Sequence, residues 1–176
     1  MEVGPDQGGT AHHGEGVGAE APSYGFLTTV ESAAHGLFGG YLVVDVLGRP
    51  LEFHCTAPVK VTRAQQILYG STLHGHLHGR QIGAALLAES KAEPALVLTD
   101  QEAMLSVRPH TRLPVALVKR HEPQDGATGG LHVQPHASDA AREGVIRDWL
   151  AALGAAVDVC EPFERIRAAI EEAQRH

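Results

Sequence analysis

Between Gly39 and Gly70 apolar and polar positions alternate, break off and alternate again. Leu42, Val44 and Val46 alternate with Tyr41, Val43 and Asp45, the period of two that marks a strand with one face more deeply buried. Leu47-Gly48-Arg49-Pro50 interrupts the pattern: Gly48 supplies the positive φ of a short bulged hairpin loop, and Pro50 holds Arg49 extended. Leu51, Phe53 and Cys55 then alternate with Glu52, His54 and Thr56 until Pro58 removes a ladder donor. The apolar set is expected to face the core, which makes Cys55 a buried small hydrophobe. Thr62-Arg63-Ala64-Gln65 is a capping box, so a helix opens at Arg63, and Gly70 closes it.

The pattern extends in both directions. Residues 24–31 (YGFLTTVE) predict a first strand ahead of the hairpin. From Ser71 a second helix is expected, with Gly75, Gly79 and Gly83 at i, i+4 and i+8 forming a smooth ridge. Glycine disfavours a helix interior by about 0.5–1 kcal/mol relative to alanine, so the row implies close approach of another backbone. Residues 95–98 and 113–119 are short apolar runs of the kind covered on both faces. Between them Thr99-Asp100-Gln101-Glu102 suggests a brief helix, which makes the two strands a parallel pair. A strand over 104–108 is the competing reading of that connection. Toward the end, Val145, Ile146, Trp149, Leu150 and Leu153 form one helical stripe, and Phe163, Ile166 and Ile170 form another behind Pro162. Glu161 with Arg165, and Arg167 with Glu171, are spaced to pair on that last helix.

These elements predict an α+β or mixed α/β fold: a central antiparallel hairpin in a mixed sheet, packed by helices. Residues 1–22, with six glycines and no aliphatic run, are expected to be a disordered acidic tail. Residues 23–121 form the core domain, 122–137 a Gly- and Pro-rich linker, and 138–176 a C-terminal helical pair.

Charge narrows the function classes. The formal charge of -7 divides into -4 on residues 1–22, -3 on residues 139–176 and zero between them. An acidic chain without a large basic face argues against nucleic acid as a partner. No apolar run approaches 18 residues, which excludes a membrane-spanning helix. Two cysteines, Cys55 and Cys160, and no leader-like start predict a cytoplasmic protein with reduced thiols.

Among candidate chemistry, histidine stands out. His74, His76 and His78 would share one face of an extended segment and offer zinc or a similar divalent ion three imidazoles. On a helix only His74 and His78 share a face. No acidic residue lies between Glu52 and Glu89, so a hydrolytic metal site would draw on His54 or Asp100. A Cys55 nucleophile activated by His54 conflicts with strand geometry, because neighbouring side chains point to opposite faces. His54, Thr56, Arg63 and Asp100 are the candidate ligand-binding residues. Asp100 follows a strand end, and Arg63 opposes the dipole at its helix start, which suggests an anionic contact. No glycine fingerprint for a nucleotide follows a strand, no cofactor is called for, and no catalytic grouping is assigned.

The leading expectation is a non-catalytic domain that binds a partner or ligand. A protein partner or second copy would dock on the C-terminal helices or on the Gly75/Gly79/Gly83 ridge. The alternative is a metal-dependent, hydrolase-like enzyme built on His74, His76 and His78.

Overall fold

The computed structural model describes residues 21–121 and 130–175. The expected tail and the first half of the expected linker therefore lie almost wholly outside the described residues. The fold is mixed α/β. Strands β1 (Tyr24–Ser32), β2 (Gly36–Val44), β3 (Pro50–Cys55), β4 (Leu96–Thr99), β5 (Val115–Arg120) and β6 (Leu131–Pro135) form one sheet in the order β3-β2-β1-β4-β5-β6. β1, β2 and β3 make an antiparallel meander. β4 then lies parallel to β1, and β5 parallel to β4, before β6 returns antiparallel.

Helices cover both faces, which is why β1 and β2 are apolar on both sides rather than on one. Tyr24, Phe26, Leu42 and Val44 pack beneath α4 (Glu143–Gly154) and α5 (Glu161–Gln174), together with Leu96, Leu98 and Val118. Ile146, Leu150 and Leu153 of α4, and Phe163, Ile166 and Ile170 of α5, close that layer. Full burial of such side chains contributes about 1.5–3 kcal/mol each. Leu27, Tyr41, Val43, Val97 and Val115 face the other way, against Ile82, Leu86, Met104 and Val107. Gly39 and Gly40 sit where both layers press closest. A Cβ on Gly39 would lie 2.1 Å from Ile82 Cγ2, and one on Gly40 2.3 Å from Ile166 Cγ2.

The second layer comes from residues 63–89. Helix α1 (Arg63–Tyr69) opens on the expected box: Thr62 Oγ1 accepts from the Gln65 N–H (3.1 Å), and Gln65 Oε1 from the Thr62 N–H (3.0 Å). A short 3-10 turn leads into α2 (Leu73–Gly75), a π-helical segment His76–Gly83 and α3 (Ala84–Glu89). The glycine row lies against the 3-10 helix Glu102–His110: Gly79 on the Ser106 backbone, Gly75 on the Ser106 side chain, and Gly83 on the Val107 and Met104 side chains. That 3-10 helix settles the connection between β4 and β5 as helical.

Three expectations are corrected. Leu51 and Phe53 are 54% and 41% exposed, and Cys55 is exposed too, so the apolar face of β3 is the outer one. Its polar face turns inward because the Glu52 carboxylate accepts from the backbone N–H groups of Lys91 (3.0 Å) and Ala92 (2.6 Å) and from the Ser90 hydroxyl. A hydroxyl in place of the Cys55 thiol would meet solvent, not core. Within the expected linker, Leu131–Pro135 pairs with β5 as β6, and Val133 alternates inward. Finally, Glu161 and Arg165 pair (2.8 Å), but Arg167 reaches across to Asp100 rather than along its helix to Glu171.

No helix among the described residues is long and apolar enough to cross a membrane.

Candidate functional site

β1 and β4 run side by side in parallel, with Phe26 paired to Leu98, so Thr28 and Thr29 come level with Asp100 and Gln101. Alternation sends Thr28 and Asp100 to the α5 face and Thr29 and Gln101 to the opposite one. The carboxyl ends of these strands thus open onto two depressions, as parallel pairs in α/β sheets do.

On the α5 face Thr28 Oγ1 donates to Asp100 Oδ1 at 2.7 Å, and Arg167 pairs with Asp100 Oδ2. The depression there encloses about 380 Å³ and is walled by Lys119, Arg120, Cys160 and Glu164. Arg120 is engaged by Asp158. Burial pushes the Cys160 thiol up from its ordinary range, against the opposing pull of Arg120. Asp100 is therefore a neutralised carboxylate, held by one hydroxyl and one guanidinium.

The opposite face holds the larger cleft, about 910 Å³, between the turn after β1, residues 59–61, the start of the 63–89 helices and Gln101. Its floor is a connected set. Thr29 is 4% exposed and His78 9%. Gln101 Oε1 accepts from the Thr29 N–H (3.1 Å), and Gln101 Nε2 donates to the Thr29 carbonyl (3.2 Å). Thr29 Oγ1 lies 2.8 Å from Gln101 Oε1 and 3.2 Å from His78 Nε2. The other ring nitrogen of His78 is 2.9 Å from the His74 carbonyl. Burial pushes the His78 imidazole below its ordinary value, the His74 carbonyl pulls it up, and the His74 charge lowers it again.

The outer wall of the cleft carries Lys60, Gln66 and His74, and Arg63 donates to Gln66 Oε1 (3.2 Å). Beside it Tyr69 and His76 stack, with ring centroids 4.4 Å apart and planes 26° from parallel. Among the described residues that line the cleft, Glu31 is the one carboxylate.

The sequence-derived candidates do not converge. His54 bonds to Glu52 Oε1 at 2.9 Å, and this ring bond comes first among the contacts that hold the Glu52 carboxyl at about 2. His54 thus acts within β3, while Thr56 Oγ1 accepts from the Gly39 N–H (2.9 Å) and ties the end of β3 to β2. Arg63 stands beside the cleft wall, while Asp100 belongs to the other face. His74, His76 and His78 go three ways: His74 lines the cleft, His76 stacks on Tyr69, and His78 is bonded into the floor. Among the described residues no group of three or more His, Cys, Asp or Glu side chains could hold a metal ion. Thr29, Gln101 and Lys60 were not among the candidate site residues read from the sequence. Two adjacent polar residues inside an otherwise apolar first strand were the available signal for the floor.

No protein-family model and no curated protein sequence matches the chain significantly. Among solved structures, Ciona intestinalis Endonuclease V in complex with a 23mer DNA containing an inosine followed by a ribo-adenosine aligns with a TM-score of 0.39 and 11% identity. It covers 73% of this chain and 56% of that one. The same enzyme with a 24mer DNA aligns at 0.36 and 14%, over 73% and 57%. Marinitoga piezophila Argonaute with a 5' OH guide RNA aligns at 0.36 and 12%, over 66% of this chain and 23% of its own. The chain thus spans little more than half of Endonuclease V and under a quarter of Argonaute. With TM-scores below 0.5, neither activity nor site residues are carried over.

The structure runs against two expectations from the sequence. One is the non-catalytic domain for a protein partner or ligand, with a histidine-rich metal enzyme as its alternative; the other is the exclusion of nucleic acid. Both are withdrawn. The physical reasons lie in the structure. Apart from the exposed Val145, the apolar faces of α4 and α5 are spent on the sheet, and the Gly75/Gly79/Gly83 ridge on Ser106, Val107 and Met104, so the expected docking surfaces are already covered. A whole-chain charge sum averages over the surface. Residues 53–88 include Lys60, Arg63, Arg80 and four histidines without one acid.

Proposed function

We propose that the cleft at the carboxyl ends of β1 and β4 binds a single strand of nucleic acid. The observation that carries this reading is the part of the acid-free run 53–88 that lines the cleft, with Lys60 and His74 on the wall and Arg63 beside it on Gln66. A wall of that sign attracts a phosphate backbone, with Glu31 on the β1 side as the opposing charge, and counterion release makes binding depend on salt. The Tyr69–His76 stack offers an aromatic face beside the groove, where a base can lie without sequence-specific hydrogen bonds. Asp100 does not oppose the strand, because it lies on the other face and is neutralised by Arg167.

Fluorescence anisotropy with labelled single-stranded DNA and RNA across a salt series tests the reading. Each phosphate contact contributes about 0.7 to the slope of log affinity against log salt for single strands. The Lys60→Ala/Arg63→Ala double variant is therefore expected to weaken binding and flatten the slope by about 1.4. An unchanged slope, or a parent protein that binds neither strand at low salt, overturns it.

A further inference from the structure

The hydrogen bonds on the cleft floor need more protons than a neutral histidine supplies. Two backbone contacts fix the Gln101 amide: Oε1 must face the Thr29 N–H, and Nε2 the Thr29 carbonyl. Gln101 Oε1 is thus an acceptor toward the Thr29 hydroxyl. The His74 carbonyl is an acceptor as well, so His78 Nδ1 must carry a hydrogen. The hydroxyl of Thr29 has one hydrogen and two claimants, Gln101 Oε1 at 2.8 Å and His78 Nε2 at 3.2 Å. With a neutral ring, one of these contacts is left without a proton. With an imidazolium, every contact is satisfied in one direction: Nδ1–H to the His74 carbonyl, Nε2–H to Thr29 Oγ1, and the Thr29 O–H to Gln101.

From this proton count we propose that His78 is a protonation switch for the cleft: on losing its proton it reverses the Thr29 hydroxyl from Gln101 toward Nε2 and removes a positive charge from the floor. The inference rests on the nucleic-acid reading only for its effect on binding; the hydrogen-bond reversal stands by itself. The charged and titratable groups sharing the cleft are Glu31 from β1, Lys60 from the 59–61 segment and His74 one turn earlier. Asp100, next to Gln101, is on the opposite face with Arg167. Burial favours the neutral ring, so the change belongs to pH values below the ordinary imidazole range. By the same linkage, a base whose folded value is lowered makes the fold less stable as pH falls through the unfolded value of about 6.5.

Two readouts test the switch. Nitrogen NMR of the histidine rings, without any oligonucleotide, is expected to show His78 as the Nδ1–H tautomer at neutral pH, titrating below about 6.5. An Nε2–H tautomer, or no titration of His78 down to about pH 4, overturns the proposal. In anisotropy, acidification through the His78 midpoint is expected to tighten oligonucleotide binding about fivefold, the effect of one charge near one phosphate in a solvated groove. His78→Gln should lose the part of that dependence that tracks the His78 ring in the NMR titration, apart from whatever the exposed His74 on the cleft wall contributes. A His78→Gln profile identical to the parent's overturns the proposal. Absence of oligonucleotide binding sinks the functional reading alone, since the ring spectra still decide the switch.

Discussion

Asp139→Ala is expected to lower the free energy of unfolding by about 3–5 kcal/mol, the range for removing one partner of a buried ion pair. The Asp139 carboxylate is 1% exposed and accepts from Arg108 Nε (2.9 Å), Arg108 Nη2 (3.2 Å) and the Val115 N–H (3.0 Å). Arg108 closes the 3-10 helix and also donates to the Thr111 carbonyl at 2.7 Å, while Val115 opens β5. One carboxylate therefore joins the 3-10 turn before α4, the 3-10 helix 102–110 and the first residue of β5. Its removal strands a guanidinium that is mostly buried and leaves the buried Val115 N–H without its acceptor. Chemical denaturation measures the change directly. A loss under about 1 kcal/mol would place the pair in the class of surface ion pairs and contradict its burial.

Gly79→Ala is expected to destabilise by about 1–3 kcal/mol, although alanine is the better helix former. A Cβ there would lie 2.5 Å from the Ser106 carbonyl carbon and 2.6 Å from its oxygen. Those atoms are backbone in a packed 3-10 helix, so no rotamer change relieves the clash. Helix propensity alone acts in the opposite sense by about 0.5–1 kcal/mol, so the sign of the change separates the two effects. At Gly75 the nearest atom is the Ser106 hydroxyl at 3.0 Å, which can rotate, and Gly75→Ala should be tolerated better. A Gly79→Ala protein more stable than the parent would mean that the two helices do not touch there.

What was legible in the sequence was local. The capping box at Thr62, the positive φ of Gly48 (77°), the parallel pair β4–β5 and the stripes of α4 and α5 each depend on neighbours a few residues away. What was not legible depends on partners far along the chain. The alternation in β3 is real, but its inward face was decided by the backbone of residues 90–92, which holds Glu52. Arg167 had a partner of the right spacing in Glu171 and took Asp100 instead, 67 residues away. β6 is short, and only pairing with β5 distinguishes it from a loop. The cleft floor joins Thr29, His78 and Gln101 from three separate segments, and no spacing rule connects them. The acid-free run between Glu52 and Glu89 was visible from the start, but not that residues within 59–78 of it line a cleft.

The central claim is that this wall is where nucleic acid lies, and amide NMR mapping of the labelled protein against a short single-stranded oligonucleotide tests it most directly. The expected shifts fall on residues 29–36, 59–78 and 101 and fade as salt is raised, while α4 and the outer strand β6 stay in place. Shifts concentrated around Lys119, Arg120 and Arg167, with the 59–78 amides unmoved, would contradict it and move the interface to the α5 face.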